Sequence, residues 1–505
     1  MVNAHAKSGP VRDGYLLALD AGIGGGRSLI FAPDGRLIAW GYQEWTAQAV
    51  PGVPGGLAFD PEHYWTALSA ATRSALETSE IPPDRIRAIS VTCQREGFLL
   101  LDAADRPLYA GPSADIRGAQ ANAELATRHG AALYHVTGHV PDAFHMPGRL
   151  QWLRQHQPDV FARARRLMMI NDWMLFRLCG AWVGEPSNAC SSALFDVPAA
   201  TWSDQAIDLA GLPRDIFPPI VASGTRVGEL HRTAAAETGL AIGTPVVVGG
   251  GDGQCGLLGA GATDPGDVAA IAGTTTPMLM HLTQPLFDPL RRTWTRSGLE
   301  KERWALEANA GITGLAFRWV RDLLYETPSE DLYQKMVRLA EGAPLGTPGT
   351  RSLLGPKPMA TRWWSGVAVS GQLAGIGPFA GHRAEIIRAT MESICYAVRA
   401  NCELLSEVTK QPITALRLVG GQSRSPTWVQ MQADILGMPV LLPSVHEASG
   451  WGAALCAGVG VGYWSSVSDA ARVSIDHESV EPRAVASRLY NDLYPDWLRD
   501  IAASE

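Results

Sequence analysis

The sequence predicts an α/β protein of two domains. Three observations carry that expectation. Short apolar runs near the start follow the order three meandering strands, a helix, then a strand. A strand, a turn and a return arm recur after residue 260. Glycine-rich or acidic turns close several of these strands, where α/β folds place ligands.

Taken in order, residues 15–20 read as a buried strand stopping at a turn over 22–26, and 28–32 as a second strand. Pro33-Asp34-Gly35 reads as a hairpin turn, with φ fixed by Pro and the left-handed position taken by Gly. Residues 37–42 are a third strand. A helix over 61–79 opens on Pro61 and repeats Trp65, Leu68, Ala71 and Leu76 near helical spacing. Strands follow over 85–93 and 98–102. In the second half, 268–273 and 277–282 read as strands, 383–406 as an amphipathic helix and 413–419 as a strand. Ser425 and Pro426 cap and open another helix. Residues 439–443 are a strand and 447–461 a small-residue helix, while 283–303 and 342–366 read as irregular. The two domains join near residues 252–266, and their likeness lies in element order, not in sequence identity.

Composition bounds the function. The chain has 505 residues, 46% hydrophobic and 18% charged, so it folds and does not stay disordered. Its 53 glycines and 34 prolines show no collagen period and imply many turns. A net charge of −8 opposes nucleic acid. Seven scattered cysteines without a CxxC favour reduced thiols in a cytoplasm. The first ten residues lack a secretory h-region, and Asp252 interrupts the most apolar stretch, 245–262, so no membrane span is expected.

Four turns carry candidate chemistry. Asp20, before the glycines of 22–26 and Arg27, suits a magnesium nucleotide; an ordinary Asp hairpin is the plain alternative. Asp252 follows three glycines and is presented on bare backbone as a candidate general base. The same segment satisfies G-x-G-x-x-G, but no acidic ribose partner follows about 20 residues on. The turns Gly273-Thr274-Thr275 and Gly420-Gly421, with Ser425 beyond, offer amides and hydroxyls to phosphate, or are plain turns. Gln94-Arg95-Glu96 ends a strand, where Arg donates to and Glu accepts from hydroxyls unless the pair is a surface salt bridge. Asp115 and Arg117 are ambiguous in the same way. His135, His139 and His145 lack metal spacing and read as structural or surface residues. No Walker or protein-kinase signature occurs.

Together, LALDAGIGGGRSLIF, ISVTCQREGFLLLD, INDWMLFRLCG with EPSNACSSALFDV, VVVGGGDGQCGLLGAG, PGDVAAIAGTTT and LVGGQSRSPTWVQMQADILGMPV with EASGWGAA resemble the FGGY carbohydrate kinases, closest to their autoinducer-2 kinase and xylulokinase-like members. The resemblance implies two ribonuclease-H-like (actin-like ATPase) domains with a cleft between them. They would follow a tail over 1–14, with the sugar side over 15–258, the nucleotide side over 259–480 and a helical tail over 481–505. It implies a cytoplasmic phosphotransferase moving the γ-phosphoryl of ATP, with Mg2+, to a hydroxyl of a small sugar or polyol such as a xylulose-like ketose or the autoinducer-2 precursor. Asp252 matches the base, Asp20 and Asp252 the magnesium side, and Gln94, Arg95, Glu96 and Asp252 the acceptor site. Arg27, Gly273, Thr274, Thr275, Gly420, Gly421 and Ser425 match the ATP site. No nucleic acid or membrane partner is implied, and a homodimer is left open. One departure motivates the alternative of a weakened sugar- or nucleotide-binding paralogue: Ile23 and Gly25 stand where the family carries Thr and Ser. The amides of Gly24, Gly25 and Gly26 are then the expected donors, and Ile23→Thr with Gly25→Ser should improve the loop.

Overall fold

The computed structural model describes residues 13–326, 331–362, 371–474 and 476–504. Two seven-stranded sheets organise it. In the first, β1 (Tyr15–Ala21), β2 (Gly25–Phe31) and β3 (Leu37–Glu44) meander antiparallel. Helix α1 (Pro61–Ser79) starts where Asp60 accepts the amide of Glu62, and it buries Trp65, Leu68, Ala71 and Leu76. β4 (Ile86–Cys93) then returns parallel to β1. β5 (Phe98–Leu101) leaves this sheet and pairs with β6 (Pro107–Gly111) and β7 (Arg166–Met169) under helices α2 (Ala119–Thr137) and α3 (Met146–His156). The first sheet is completed by β8 (Arg226–Glu229), β9 (Pro245–Val247) and the short β10 (Gly250–Gly251) on β4, before α4 (Asp252–Gly259).

The second sheet contains β11 (Val268–Ala272), β12 (Pro277–Leu282), β13 (Trp294–Ser297) and β14 (Trp304–Asn309). After helices α5 (Gly314–Leu324) and α6 (Arg383–Thr409) come β15 (Leu416–Gly420), α7 (Pro426–Leu436), β16 (Val440–Pro443), α8 (Ala448–Gly460), β17 (His477–Val480) and α9 (Ala484–Ala503). Its core order β14-β12-β11-β15-β16 reproduces the first sheet's β3-β2-β1-β4-β9, three antiparallel strands then two parallel ones. The likeness expected from element order is therefore one of topology.

Three local expectations need correction. The supposedly irregular 283–303 contains β13, because Trp294 to Ser297 find partners on β14. Within 342–366, Arg351–Leu353 is a strand and Met359–Thr361 a 3-10 turn, while 363–366 lie outside the described residues, as do 1–12 of the tail. The strand expected over 413–419 begins at Leu416, whose amide makes the first bond, to the carbonyl of Pro439.

The halves are locked together by α8, which belongs to the second half in sequence but packs on the first sheet. Its Trp451, Leu455 and Cys456 share a core with Leu16, Leu29 and Phe31. Gly452 lets α8 touch α4, since a Cβ there would meet the carbonyl oxygen of Cys255 at 2.1 Å.

Candidate active site

Parallel pairing brings the acidic turns of the first sheet to one edge. Asp20 lies opposite Thr92, and Ala21 and Gly251 both lie opposite Cys93, so Asp20, Gln94 and Asp252 emerge together. In the second sheet Ala272 lies opposite Gly420, which sets the 273–275 and 420–425 turns side by side. Glu447, just before α8, joins the halves by accepting from Arg27 at 2.9 Å and from Arg424 at 2.5 Å.

The loop after Asp20 is braced through its carbonyls. Trp45 Nε1 and Gln94 Nε2 donate to Gly22 O at 3.2 and 3.0 Å. Tyr42 OH and the Trp45 amide donate to Gly24 O at 3.1 and 3.2 Å. Among the described residues, nothing accepts from the amides of Ile23 and Gly24. Gly25 and Gly26 belong to β2 and pair with Glu44 and Gln43, so the expected donor set shifts to Ile23 and Gly24. Gly25 is also no vacancy for a hydroxyl, because a Cβ there would lie 2.4 Å from the Tyr42 ring. Ile23 is 46% exposed and packs into no core.

Asp252 is not in a turn, as its glycines suggested, but is the first residue of α4. The short β10 carries the chain straight into the helix. Ser187 Oγ accepts the Gly251 amide at 2.9 Å, and Ser449 Oγ donates to Asp252 O at 2.9 Å. The carboxylate accepts the Gly253 amide at 2.7 Å, lies 3.3 Å from Arg95 Nε and keeps 40% of its side chain exposed. Burial raises its pKa; Arg95 opposes that, and Glu96 adds to it.

Arg95 and Glu96 do not form a surface bridge, because each reaches across to the second half. Arg95 grips Glu307 with both terminal nitrogens, at 2.5 and 3.0 Å. Arg296 Nε donates to the same carboxylate at 2.9 Å, and its Nη2 lies 3.5 Å from Glu96. Burial pushes Glu307 up, but Arg296 and Arg95 outweigh it and hold the carboxyl below its ordinary range. Glu96 takes φ +64°, a strained backbone for a side chain. The Gln94 amide is consumed by Gly22 and by Ser113, which donates to its Oε1 at 2.8 Å. Asp115 and Arg117 resolve as a buried pair, 2.8 Å apart. Sequence reasoning missed Glu307 and Arg296; the local signal is a charge among the apolar residues of β14 for Glu307, while Arg296 sits between Thr295 and Ser297 and carries none.

In the second sheet, the Gly273 amide donates to Thr275 O at 3.0 Å, which tightens the turn and leaves Thr274 exposed. Gly420 takes φ +89°. Ser425 Oγ accepts the Trp428 amide at 3.3 Å, so its hydroxyl caps α7 behind Pro426.

Burial raises the Asp20 pKa to about 6; Arg27 opposes it, and Asp252 and Glu447 add to it. No cluster of three or more metal-ligating side chains exists among the described residues. Mg2+ binds through one or two carboxylates, waters and substrate phosphates, so a sparse acidic mouth around Asp20 fits it.

Two family models match this arrangement: the N-terminal domain of the FGGY family of carbohydrate kinases over residues 15–259, and its C-terminal domain over 268–461. The chain belongs to that family. It is an ATP-dependent phosphotransferase acting on an alcohol group of a carbohydrate. Among curated relatives, autoinducer-2 kinase of Escherichia coli is 33% identical, covering 96% of this chain and 93% of that protein. Autoinducer-2 kinase of Photorhabdus laumondii matches at 33%, again over 96% and 93%. Xylulose kinase from Lactobacillus acidophilus shares the fold at TM-score 0.84 and 20% identity, over 97% and 98% of the two chains. Glycerol kinase from Plasmodium falciparum, solved with ADP, does so at 0.81 and 19%, over 97% and 98%. No helix among the described residues is long and apolar enough to cross a membrane.

Proposed function

We propose that the cleft phosphorylates a small sugar or polyol, with Asp252 as general base, and that the acceptor is a xylulose-like ketose or the autoinducer-2 precursor. The observation that carries this is Asp252 itself, half-exposed at the start of α4, held by Arg95 and sharing a sheet edge with Asp20. Asp252 takes the proton of the acceptor hydroxyl as that oxygen attacks the γ-phosphorus, and ADP leaves. Arg95 and Glu96 hold neighbouring hydroxyls, while Gln94 braces the loop after Asp20. The amides of Ile23 and Gly24, with Arg27, face the phosphates. Gly273, Thr274 and Thr275 cradle the nucleotide phosphates, and Gly420, Gly421 and the turn capped by Ser425 line the adenosine. Asp20 would hold Mg2+, largely through water, with Asp252 beside it; the ion neutralises charge on the transferring phosphoryl group.

On this reading, residues 15–258 are the sugar side, 259–480 the nucleotide side and 481–505 a tail. Seven free thiols suit a reducing cytoplasm. The names of the relatives support the substrate class. A coupled ADP-release assay across ketoses, polyols and autoinducer-2 tests it: turnover with a neutral small acceptor is expected, and turnover with none of them overturns the substrate assignment.

A further inference from the structure

Behind Glu96 lies a group of buried polar side chains that the phosphoryl transfer does not use. His139 Nδ1 sits 2.7 Å from the carbonyl of Thr137 and therefore carries the proton, which leaves Nε2 as a bare acceptor. His145 Nδ1 faces Asp142, 3.0 Å from its amide nitrogen and 3.2 Å from its carboxylate Oδ1, and turns Nε2 the other way. Neither Nε2 atom has a partner among the described residues, nor do Arg296 Nη1 and Asp142 Oδ2. All four side chains are buried. They are contiguous. The two imidazoles are 5.1 Å apart, His139 stacks on Trp294 at 5.8 Å, and the Arg296 guanidinium lies 4.9 Å from the same indole. Arg296 also reaches Glu96 at 3.5 Å.

One unpaired buried atom is ordinary, but four adjoining ones of mixed donor and acceptor character form a surface with unfilled hydrogen bonds. The charge around it is acidic in excess. Three guanidinium groups, Arg95, Arg149 and Arg296, stand against four carboxyl groups, Glu96, Asp142, Asp252 and Glu307.

We propose that His139, His145 and Arg296 form a specificity wall that reads the oxygens of the acceptor remote from the reacting hydroxyl. The acceptor is thereby a neutral polyhydroxylated chain of more than three carbons and not a sugar acid. This rests on the placement of the acceptor at Arg95 and Glu96 proposed above. A distal hydroxyl donates to His139 Nε2 and accepts from Arg296 Nη1, with His145 Nε2 pairing a further oxygen. Glycerol has too few hydroxyls to pair the whole wall, and an aldonate meets the excess of carboxylates.

The test compares kcat/KM for D-xylulose, xylitol, glycerol and gluconate with the full-length protein. The best neutral five-carbon acceptor should exceed both glycerol and gluconate by about ten- to a hundredfold, since a site built to pair hydroxyls rejects ligands lacking them. Glycerol or gluconate performing equally well overturns the wall. His139→Leu should lower the five-carbon value by about tenfold or more, mostly through KM, with a smaller loss for glycerol. An equal loss for both would reveal a structural histidine and overturn the proposal; the comparison of acceptors on the unaltered protein does not depend on that variant folding. The Asp252→Asn assay separates the two readings. Retained turnover there removes the acceptor site itself, whereas loss of turnover there alongside a flat ranking of acceptors overturns only the wall.

Discussion

Arg95 holds Asp252 at 3.3 Å through Nε while both of its terminal nitrogens are committed to Glu307. The guanidinium is therefore fixed from the second half and presented to a carboxylate of the first. Its orientation does not depend on substrate, and Asp252 keeps a free oxygen for the hydroxyl it is to deprotonate.

Replacing Asp252 by Asn keeps shape and removes basicity. Turnover should fall by about 10² to 10⁴ while nucleotide affinity is retained. Steady-state kinetics paired with calorimetric ATP-analogue binding measures both, and near-wild-type turnover would place the proton transfer elsewhere.

Glu307→Gln leaves two buried guanidinium groups sharing a neutral amide. Breaking a buried ion pair typically costs about 3 to 5 kcal/mol, so thermal unfolding should move down by many degrees. In protein that still folds, KM for the acceptor should rise more than KM for ATP, because Arg95 loses its anchor. An unchanged melting curve would mean that Glu307 anchors nothing.

Gly25→Ser should harm the enzyme, since the new side chain meets the Tyr42 ring at 2.4 Å. Overpacking of this kind costs about 1 to 3 kcal/mol. Ile23→Thr, at an exposed position, should be nearly neutral for stability. Tyr42→Ala added to Gly25→Ser should recover part of the lost Tm; if it recovers nothing, the collision is not the cause.

Asp20 titrates near 6, raised by burial. As pH falls through that value the carboxylate takes a proton and loses its hold on a cation, so kcat/KM should drop on the acid side of about 6 with a slope of one proton. The stability effect has the opposite sign. Charging this enclosed group destabilises the fold as pH rises, so Asp20→Asn should raise Tm at neutral pH while abolishing turnover. The gain should disappear as pH approaches the ordinary value of 3.8. A flat profile between those limits would remove Asp20 from the site.

What the sequence disclosed followed from how local each signal was. The helix 61–79 was legible from Pro61 and the spacing of its apolar residues, and the edge carrying Asp20 and Asp252 from glycines that end strands. Glu307 was not legible, because its partner Arg95 stands 212 positions away and nothing near either residue announces the pairing. The need for Gly25 comes from Tyr42 on the neighbouring strand, a contact that register alone creates. His139 and His145 looked inert because no metal spacing joins them; their interest lies in nitrogens that burial leaves unpaired.

The packing of α8 on β1 also governs how the chain is made. Leu16, Leu29 and Phe31 leave the ribosome about 430 residues ahead of their cover, Trp451 and Leu455. At about 5 to 20 residues per second the nascent sheet waits roughly 20 to 90 s with that apolar face open. The first half should therefore be prone to aggregate while it waits for its cover. Expressed without the last third of the chain it should aggregate, and the finished protein should unfold in a single cooperative transition despite its two sheets.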